Sequence, residues 1–507
     1  MFSISELVTN LALSVGILVV SRFLWNYLRS PLRSFPGPVP TSFTNIWRLQ
    51  DVFKGRCDIT HNELHRKYGP AVRMGPNILS LSDPTLIRQV YNTKNPWLKS
   101  NMYNVNDVIV SGTRFKNLFS NQDEKWHSTF IRPVKSLYSM SKVQDVEHNV
   151  DITIELLLEK LRERFVRPGK PCEMSEYIGF FAWDTMSQVT FSKDLGILEA
   201  GSDYRGFLKR SNKTLDYFAS ICQIPMLDYV FDKNPIVRIG PPTFIWANIF
   251  SQEQLQKRYE STQASHVDFL SKFLEVKKKQ PELVNDNTII LYLISNVLAG
   301  SDSTASTMCA TIYYVLKNPS VHAKLRDELR EASLSLPAKW KDIHGLKYLE
   351  AVMRESMRIN PGVGLMIERV VPNGGVTLPD GRFVPEGTIV GMNPWVINRN
   401  EEVFGANTDS FIPERWLKEP GESEEAFQAR FAKMKGTDFT FGAGSRACLG
   451  RNLSQLESYK LVATLFSSFD MELPSQEHEW KLTNSWFIRQ KNIPVRLVER
   501  EDMAVCV

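Results

Sequence analysis

The chain has 507 residues, of which 43% are hydrophobic and 23% charged, the balance of a globular protein rather than a disordered one. Its net charge of +5 is small for this length, and the sequence has no dense block of lysine and arginine interleaved with aromatic residues, which argues against a nucleic-acid partner. The six cysteines are scattered and never form a C-x-x-C pair, which argues against a zinc knuckle and a disulfide scaffold.

Residues 1–30 predict a membrane anchor. Residues 7–20 are strongly apolar, and aromatic residues extend the run past Arg22 to Leu28. A helix needs roughly 20 residues to cross a bilayer, and this run reaches that length if Arg22 extends to the interface. Three arginines follow the run and a glutamate precedes it, so the positive-inside bias directs the body to the cytosol. A cleaved signal peptide is the alternative, but the stretch has neither a basic start nor a small-residue cleavage site.

Residues 31–40 contain four prolines. Because proline fixes φ and removes a backbone donor, this stretch predicts a stiff, extended hinge between anchor and body. The sequence after it contains no linker, so we expect residues 41–507 to form one large domain.

The periodicity of the body is mostly helical. Residues 146–165 and 253–279 carry leucine at helical spacing among glutamate and lysine, and each stretch predicts helical structure. Residues 287–317 are a longer and mostly apolar run with Gly300 and Asp302 at its centre. Such length and apolarity predict a helix buried through the middle of the domain.

Short β segments lie on either side of this helical region. Residues 72–82 predict two strands around a Gly-Pro-Asn turn, and residues 363–396 contain short β segments separated by glycine and proline turns. Further β segments are expected at residues 486–489 and 494–497. The order shows no alternating βαβ series, so we expect a mainly α, α+β fold with small sheets.

Residues 441–450 read FGAGSRACLG, which supports two interpretations. The stretch from Gly442 to Ala447 fits a loose dinucleotide fingerprint, which requires a preceding strand, a following helix and an acid such as Asp470 roughly 20 residues on. That interpretation leaves no room for a doubly wound sheet after the glycines. It also leaves Arg446 and Cys448 without a role.

The second interpretation is a loop that presents a thiolate to a metal. Cys448 directly precedes an amphipathic helix that begins at residue 451, where free N–H groups and partial positive charge favour a thiolate. Such a thiolate can serve as the axial ligand of haem. Gly444 would let the backbone fold under the macrocycle, Arg446 would reach a propionate, and Phe441 would shield the sulfur. A lone cysteine is usually a buried structural residue, so this interpretation depends on the residues that frame it.

That frame, Phe441-x-x-Gly444-x-Arg446-x-Cys448-x-Gly450, resembles the haem-binding signature of the cytochrome P-450 superfamily. Three further stretches resemble the family's motifs in the family's order: its oxygen-activation segment, its E-x-x-R helix and its P-E-R-[FW] segment, at residues 299–304, 355–358 and 413–416. The similarity runs from about residue 36 to about residue 499, and residues 67–70 and 74–77 resemble the early strands of membrane-bound fungal members.

The resemblance implies haem b, with Cys448 as the iron ligand and Phe441, Gly444, Arg446 and Gly450 around it. It implies the fold of the cytochrome P-450 superfamily for the body of the chain.

Trp126 and Arg369 resemble propionate-binding positions of the family. Many relatives carry a basic residue four positions after the aromatic one, where this chain has Phe130. His127 and Arg132 are the candidates to compensate, and the sequence leaves the choice open.

Glu355 and Arg358 lie one helical turn apart, a spacing at which ion pairs are usually exposed and stabilise little. The family instead implies that this pair is buried and joined by Arg415, as a structural triad behind the haem loop.

Asp302 lies in the apolar middle of the long helix, where a polar side chain needs a partner or a function. One interpretation is a capped or water-paired aspartate at a helix distortion. The other, implied by the family, is proton delivery during oxygen activation together with a neighbouring hydroxyl. Relatives usually carry threonine directly after the acid, whereas this chain has Ser303 there and Thr304 next, so either hydroxyl is a candidate.

The resemblance therefore implies a monooxygenase anchored in the endoplasmic reticulum membrane, with its catalytic domain in the cytosol and a lipophilic small molecule as substrate. Similarity to fungal members implies secondary metabolism of a terpenoid, alkaloid or polyketide. Since the haem domain fills the chain, we expect electrons from a separate NADPH–cytochrome P-450 reductase, with cytochrome b5 as a further candidate partner. A haem-thiolate isomerase or peroxygenase that needs no reductase, and a haem-binding protein without turnover, are the alternatives.

Overall fold

The computed structural model describes residues 4–110, 113–234, 236–240, 245–261 and 266–500. Helices form the greater part of the fold. They are α1 (Ile4–Arg29), α2 (Ile46–Phe53), α3 (Cys57–Tyr68), α4 (Ile87–Val90), α5 (Glu124–Ile131), α6 (Met140–Val143), α7 (Glu147–Leu161), α8 (Met174–Phe191), α9 (Ile197–Ala200), α10 (Phe207–Ile221), α11 (Met226–Phe231), α12 (Ile245–Glu260), α13 (Phe269–Lys279), α14 (Asp286–Lys317), α15 (Pro319–Glu331), α16 (Trp340–Ile343), α17 (Lys347–Ile359), α18 (Pro394–Ile397), α19 (Glu401–Phe404), α20 (Glu424–Thr437) and α21 (Arg451–Ser468).

The strands are short. They are β1 (Ala71–Gly75), β2 (Ile78–Leu81), β3 (Val108–Val110), β4 (Thr113–Phe115), β5 (Cys172–Glu173), β6 (Ile367–Val370), β7 (Val376–Thr377), β8 (Phe383–Val384), β9 (Ile389–Met392), β10 (Phe469–Glu472), β11 (Lys481–Asn484), β12 (Ile488–Lys491) and β13 (Pro494–Glu499). One sheet has the order β1-β2-β9-β6 and another the order β10-β13-β5, and the remaining strands pair as hairpins. The predicted helix-rich fold with small sheets is confirmed.

The long apolar run predicted to cross the domain is α14, and the prediction is confirmed. The side chain of Asn285 caps its first turn by accepting the Thr288 backbone N–H. The helix packs against α8, α12, α17 and α21. At Gly300 an added Cβ would lie 2.6 Å from the Met186 side chain of α8, so glycine allows the two helices to approach closely.

The continuous periodicity of residues 253–279 is not one helix. It is divided between α12 and α13, and residues 262–265 lie outside the described part. The Asp268 carboxylate accepts the Ser271 backbone N–H at 2.8 Å, which caps α13 and starts a new helix. The strand expected at residues 486–489 is also displaced, because β12 begins at Ile488.

Within the described residues, one helix is long and apolar enough to cross a membrane, namely the Thr9–Arg29 part of α1, with a mean hydropathy of 1.6. None of that segment is buried against the body. Its length and composition are consistent with the expected anchor.

Residues 31–40, expected to be a hinge, are fixed to the body. Leu32 and Phe35 are fully buried, and the Pro36 carbonyl accepts the Arg73 backbone N–H of β1 at 2.7 Å. The apolar side chains among the prolines account for the difference, since burial of a leucine and a phenylalanine stabilises the attachment. The end of α1 therefore leaves the body at a fixed point.

A buried ion network lies on α17. Both Glu355 oxygens accept hydrogen bonds from Arg358 at 2.8 Å, and Arg415 donates to one of them at 2.8 Å. Trp416 and the Ile412 backbone complete the set at 2.9 and 3.0 Å. Burial acts to raise the pKa of Glu355, but the two arginines bring it below its ordinary value. The expected buried triad is confirmed.

This network extends to the loop between α20 and α21. Arg358 donates to the Asn398 carbonyl at 2.9 Å, and the Asn398 side chain accepts the Phe439 backbone N–H at 2.9 Å. The Thr440 hydroxyl donates to the Met357 carbonyl of α17 at 3.1 Å. The triad therefore holds the start of the segment that carries Cys448.

We expect Glu355→Gln to lower the free energy of unfolding by about 3–5 kcal/mol, because it leaves two buried arginines without their anion. Glu350→Gln is the matched control, since Glu350 forms the partly exposed pair with Arg354 on the same helix and is expected to cost about 0.5 kcal/mol or less. Urea titration followed by circular dichroism measures both. Equal unfolding midpoints for the two variants would contradict the assigned role.

Candidate active site

The cysteine loop, residues 441–450, connects α20 to α21 and closes on itself. The Cys448 backbone N–H donates to the Phe441 carbonyl at 2.9 Å. Gly444 has φ of +73°, and a Cβ there would lie 2.2 Å from the Tyr91 carbonyl oxygen. Both the conformation and the close approach require glycine.

Cys448 is exposed, whereas the other cysteines of the described part are buried. Desolvation by the surrounding protein is nevertheless the largest influence on Cys448 and raises its pKa. The Gly450 and Arg451 backbone N–H groups and the Arg451 charge act in the opposite direction, towards a thiolate. Because this sulfur is accessible yet desolvated by protein, we infer that it faces a space enclosed by the protein, which we call the site cavity.

The helix α14 forms another wall of this cavity. Ala299 is exposed although its helix crosses the core, and the Ser303 hydroxyl donates to the Ala299 carbonyl at 2.7 Å. Thr304 is buried and its hydroxyl donates to the Ser454 hydroxyl of α21 at 3.2 Å. Ser303 thus lies on the cavity side of α14, while Thr304 joins α14 to α21.

The Asp302 side chain lies on a different side of α14 from Ser303 and Thr304, towards α8 and α10. One carboxylate oxygen accepts the Trp183 indole N–H at 2.9 Å, and the other accepts the Ser211 hydroxyl at 2.7 Å. Burial raises the pKa of Asp302 above its ordinary value, and the two hydrogen bonds partly offset that effect. The sequence identified Asp302 but gave no indication of either partner.

Three basic side chains cluster near the cysteine loop: Lys99, Arg369 and Arg446. The backbones of Lys99 and Arg369 form an antiparallel bridge, and all three side chains are largely buried. Burial lowers the pKa of Lys99 well below its usual value, and the charges of the two arginines lower it further.

The carboxylate that the structure pairs with this cluster is Glu124 of α5. It accepts Arg446 Nε at 2.7 Å and the Ser445 hydroxyl at 3.1 Å. Within the described part of the chain, neither Lys99 nor Arg369 forms an ion pair. The Lys99 ammonium instead donates to the Phe119 carbonyl, and the Arg369 guanidinium donates to the Glu368 carbonyl at 2.8 Å. The cluster therefore carries more positive than negative charge.

Trp126 lies on α5 with its ring 4.4 Å from that of Phe130. His127 is buried, and burial together with the charges of Arg446 and Lys99 lowers its pKa to about 3, so it is neutral at physiological pH. Arg132 is exposed. Neither His127 nor Arg132 therefore supplies a buried cation near the cysteine loop. The buried basic residue found there in addition to Arg369 and Arg446 is Lys99. The sequence reasoning missed Lys99 because a lysine in a polar stretch that also contains Lys94 has no distinguishing motif.

A buried aromatic cluster, which we call the aromatic roof, lies between α10 and the hairpin of β11 and β12. Phe119, Phe218 and Trp486 meet edge to face with ring centroids 5.2–5.8 Å apart, and Leu365 belongs to the same buried cluster. This cluster joins the β11–β12 hairpin to α10. Aromatic side chains of this kind would suit contact with a lipophilic molecule.

The dinucleotide interpretation of the cysteine loop is wrong. Residues 439–441 form a turn after α20 rather than a strand. Asp470 lies in β10, 4.0 Å from Arg326 of α15. The strand–loop–helix geometry that a dinucleotide fingerprint requires does not occur at these residues.

A separate buried cluster of Asp51, Cys57 and His61 has ligand atoms within 4.8 Å of one another. The Asn393 amide nitrogen donates to His61 Nδ1 at 3.0 Å, and its other hydrogen bond, to the Gly364 carbonyl, fixes the orientation of the amide. The proton of neutral His61 is then on Nε2, which faces Asp51 at 3.7 Å. A protonated nitrogen is not a metal ligand, so this cluster is structural.

The cytochrome P450 family model matches residues 36–497. The chain belongs to the cytochrome P450 family. It is 39% identical to cytochrome P450 monooxygenase cfoH of Aspergillus candidus, over 100% of this chain and 96% of that protein. It is 38% identical to cytochrome P450 monooxygenase cicH of Emericella nidulans, over 96% and 97% of the two chains. A cytochrome P450 monooxygenase of Aspergillus terreus is 36% identical over 91% of this chain and 94% of its own length.

Proteins of this family are haem-thiolate monooxygenases, and the residues of this site fit haem. The sulfur of Cys448 is accessible and receives backbone N–H donors, as a thiolate ligand requires. Haem also carries two anionic propionates, and the unpaired charges of Lys99 and Arg369 match them. Arg446 donates through Nε to the Glu124 carboxylate, and another of its N–H groups donates to the Leu118 carbonyl.

We expect Lys99→Met to weaken haem retention by about tenfold, because it removes one charge-assisted hydrogen bond to an anion. Transfer of haem to excess apomyoglobin, followed by absorbance, measures the loss without relying on turnover. Lys94→Met is the matched control, since Lys94 is exposed in the same segment. Equal transfer rates for the two variants would remove Lys99 from the haem site.

Proposed function

We propose that this protein is a membrane-anchored cytochrome P450 monooxygenase of fungal secondary metabolism, with Cys448 as its iron ligand. The observation that carries the proposal is the accessible Cys448 sulfur, desolvated by the protein and facing the site cavity at the start of α21. When bound, haem supplies the activation of dioxygen and the insertion of one oxygen atom into the substrate. The remaining steps are carried out by the side chains around it.

In this proposal the cysteine loop holds the thiolate, and Gly444 and Gly450 allow its backbone to fold tightly around it. Phe441 shields the sulfur; the Arg451 guanidinium lies 5.2 Å from the centre of its ring. Trp126, Arg369, Arg446 and Lys99 orient the propionates. A thiolate at Cys448 and the buried basic side chains near the cysteine loop would be electrostatically complementary to a cofactor that carries a metal ion and two carboxylates.

Asp302 and Ser303 are proposed to deliver protons. The raised pKa of Asp302 favours uptake of a proton from solvent, and Ser303 lies on the cavity side of α14. The difference in burial supports Ser303 rather than Thr304 as the relay hydroxyl, since Ser303 lies one turn after the exposed Ala299, whereas Thr304 is buried against Ser454.

Electrons are proposed to come from NADPH through a cytochrome P450 reductase, with cytochrome b5 as a second donor. The apolar α1 and the arginines that follow it support an endoplasmic reticulum anchor with the catalytic domain in the cytosol. The aromatic roof supports a lipophilic substrate, which we place among terpenoids, alkaloids and polyketides because the relatives are fungal monooxygenases.

Replacement of Cys448 by serine is expected to abolish the strongly red-shifted absorption that reduced haem-thiolate proteins show with carbon monoxide. Cys309→Ser is the control, because Cys309 is a buried cysteine of α14 and is expected to leave the band unchanged. Haem content and circular dichroism establish that each variant is folded. Persistence of the band in folded Cys448→Ser would refute the proposed ligand.

Ser303→Ala is expected to lower product formed per NADPH by on the order of 10²-fold, the lower end of the contribution of a positioned proton-transfer group, and to divert electrons to hydrogen peroxide. Ser301→Ala is the matched control, since the buried Ser301 hydroxyl makes the same kind of bond to the Val297 carbonyl at 2.7 Å. NADPH and peroxide are assayed with a lipophilic compound that shifts the haem spectrum. Unchanged coupling in Ser303→Ala would exclude Ser303 from the relay.

A further inference from the structure

The segment between α17 and β6, residues 361–365, lies against the part of α14 that carries Ser303. A Cβ added to Gly362 would lie 3.8 Å from the Ser303 Cβ and 3.6 Å from the Ser303 carbonyl oxygen. Val363 is half-buried, whereas Gly362 and Gly364 on either side of it are buried. We call residues 361–365 the wall segment, because their position determines how closely the chain approaches Ser303.

The wall segment also contributes to the aromatic roof. Leu365 is buried in the same cluster as Trp486, and Val363 packs against that cluster. Val363 forms a backbone bridge with Phe487 as well. The wall segment therefore connects the surroundings of Ser303 to the aromatic roof.

The backbone of the wall segment is held by groups that lie outside it. The Gly364 N–H donates to the Trp486 carbonyl at 3.1 Å, and the Gly362 carbonyl accepts the Ile488 N–H at 3.0 Å. A segment outside the regular helices and strands depends on such external partners, because its buried backbone groups must still be hydrogen-bonded. The position of the wall segment is therefore set by the residues around it.

The Gly364 carbonyl receives two buried side-chain amides. Asn393 donates to it through Nδ2 at 3.1 Å, and Asn484 donates to it through Nδ2 at 3.2 Å. A carbonyl oxygen has two lone pairs, so these bonds fill its capacity for strong donors. The Cys57 thiol lies 3.9 Å away as a weaker donor. All three side chains are almost inaccessible to solvent, so water competes little for this carbonyl.

The orientation of the Asn393 amide is fixed by its other partners. Its second N–H donates to His61 Nδ1 at 3.0 Å, and its oxygen accepts the Trp395 backbone N–H at 3.0 Å. Burial lowers the pKa of His61 to about 3, so the ring is neutral and one of its nitrogens remains free to accept. The remaining N–H of the amide is directed at the Gly364 carbonyl.

Asn484 packs closely against Gly364. A Cβ at residue 364 would lie 2.0 Å from the Asn484 Oδ1, so any side chain there would displace this amide. The Asn484 Nδ2 also donates to Asp58 Oδ1 at 3.3 Å, and Arg56 binds the same carboxylate through two hydrogen bonds. The Gly364 carbonyl is thus held by two amides that are themselves held by other side chains.

We propose that Asn393 and Asn484 are positioning residues that hold the Gly364 carbonyl and thereby set the space open to a substrate beside Ser303. The inference rests on the proposed function and adds to it the residues that limit the size of the substrate. A wall segment held at both lone pairs of one carbonyl resists displacement by a large ligand, whereas a small ligand does not require it to move. The two asparagines therefore act on size selectivity without touching the substrate.

The test compares the dissociation constants of imidazole and of 1-tritylimidazole, which carries three phenyl rings, in the full-length haem protein. Binding of each is followed by haem absorbance, so neither substrate nor turnover is required. Asn393→Ser keeps an oxygen that can cap α18 but removes both amide donors. It is expected to lower the ratio of the constant for 1-tritylimidazole to that for imidazole by about fivefold, the factor that corresponds to one hydrogen bond between neutral groups.

Asn400→Ser is the matched control. Asn400 caps α19 by accepting the Val403 backbone N–H at 3.1 Å, and none of its hydrogen bonds within the described part of the chain reaches the wall segment. This variant is expected to leave the ratio unchanged.

Asn484→Ser removes the second amide independently and is expected to lower the ratio by a similar factor. It also decides the question if Asn393→Ser fails to retain haem. In the double variant the Gly364 carbonyl loses both amides, so the ratio is expected to fall by more than the product of the two single effects. A double variant whose effect equals that product would show that the asparagines do not act through one carbonyl, which overturns the inference.

The red-shifted carbon monoxide band distinguishes failure of the proposed function from failure of the positioning role. If the unaltered protein lacks the band, the proposed function and this inference are both overturned. If the band is present and Asn393→Ser or Asn484→Ser leaves the ratio at the value of Asn400→Ser, only the positioning role is overturned. An equal loss of affinity for both ligands leaves the ratio unchanged, which marks a purely structural effect and overturns the positioning role as well.

Discussion

The constraint on which the site depends is the complete pairing of one buried carboxylate. Glu355 is inaccessible to solvent, and each of its oxygens is occupied by arginine, with Trp416 and a backbone N–H as further donors. A buried ion of this kind is tolerated only when its partners are in place, which fixes α17 and the segment around Arg415 relative to each other. The Asn398 carbonyl accepts from Arg358 and its side chain accepts from the Phe439 backbone N–H, so the cysteine loop begins from a rigid support. A thiolate loop without such a support would not hold its sulfur in a constant position.

Segments remote in sequence then meet around that loop. The Lys99 stretch lies beside β6, Arg446 reaches back to α5, and α14 crosses α21 where Thr304 meets Ser454. Each of these contacts is made by a buried polar group, whose misplacement costs far more than that of an exposed one. The helices form the framework of the domain, and the buried polar contacts fix the position of each helix relative to its neighbours.

The local sequence predicted the structure correctly where the pattern of neighbouring residues determines it. The long apolar α14 could be predicted from its own residues, whereas the burial of Glu355 and Arg358 and the role of Cys448 were expected from the resemblance to a family. The contacts of Lys99 and Ser211 could not be predicted in this way, because they join segments far apart in the chain; Ser211 and Asp302 are 91 residues apart. The break between α12 and α13 was missed for a different reason, since periodicity continues on both sides of the Asp268 cap and hides the interruption.

Lys99 and Asp302 show how differently two buried ionisable groups can be used. Burial disfavours the charged form of each, so each must have a partner or remain neutral. In the described part of the chain the Lys99 ammonium has a carbonyl and two aromatic rings as neighbours and forms no ion pair. The charge of Glu124 acts to raise its pKa, but burial and two arginines lower it. That imbalance is removed by an anionic ligand, which haem propionates provide. Asp302 already has two protein donors, so the cost of its burial is offset within the protein. A buried basic group without an ion pair therefore points to a ligand that the chain itself does not provide, whereas an acid with two protein donors is satisfied within the fold.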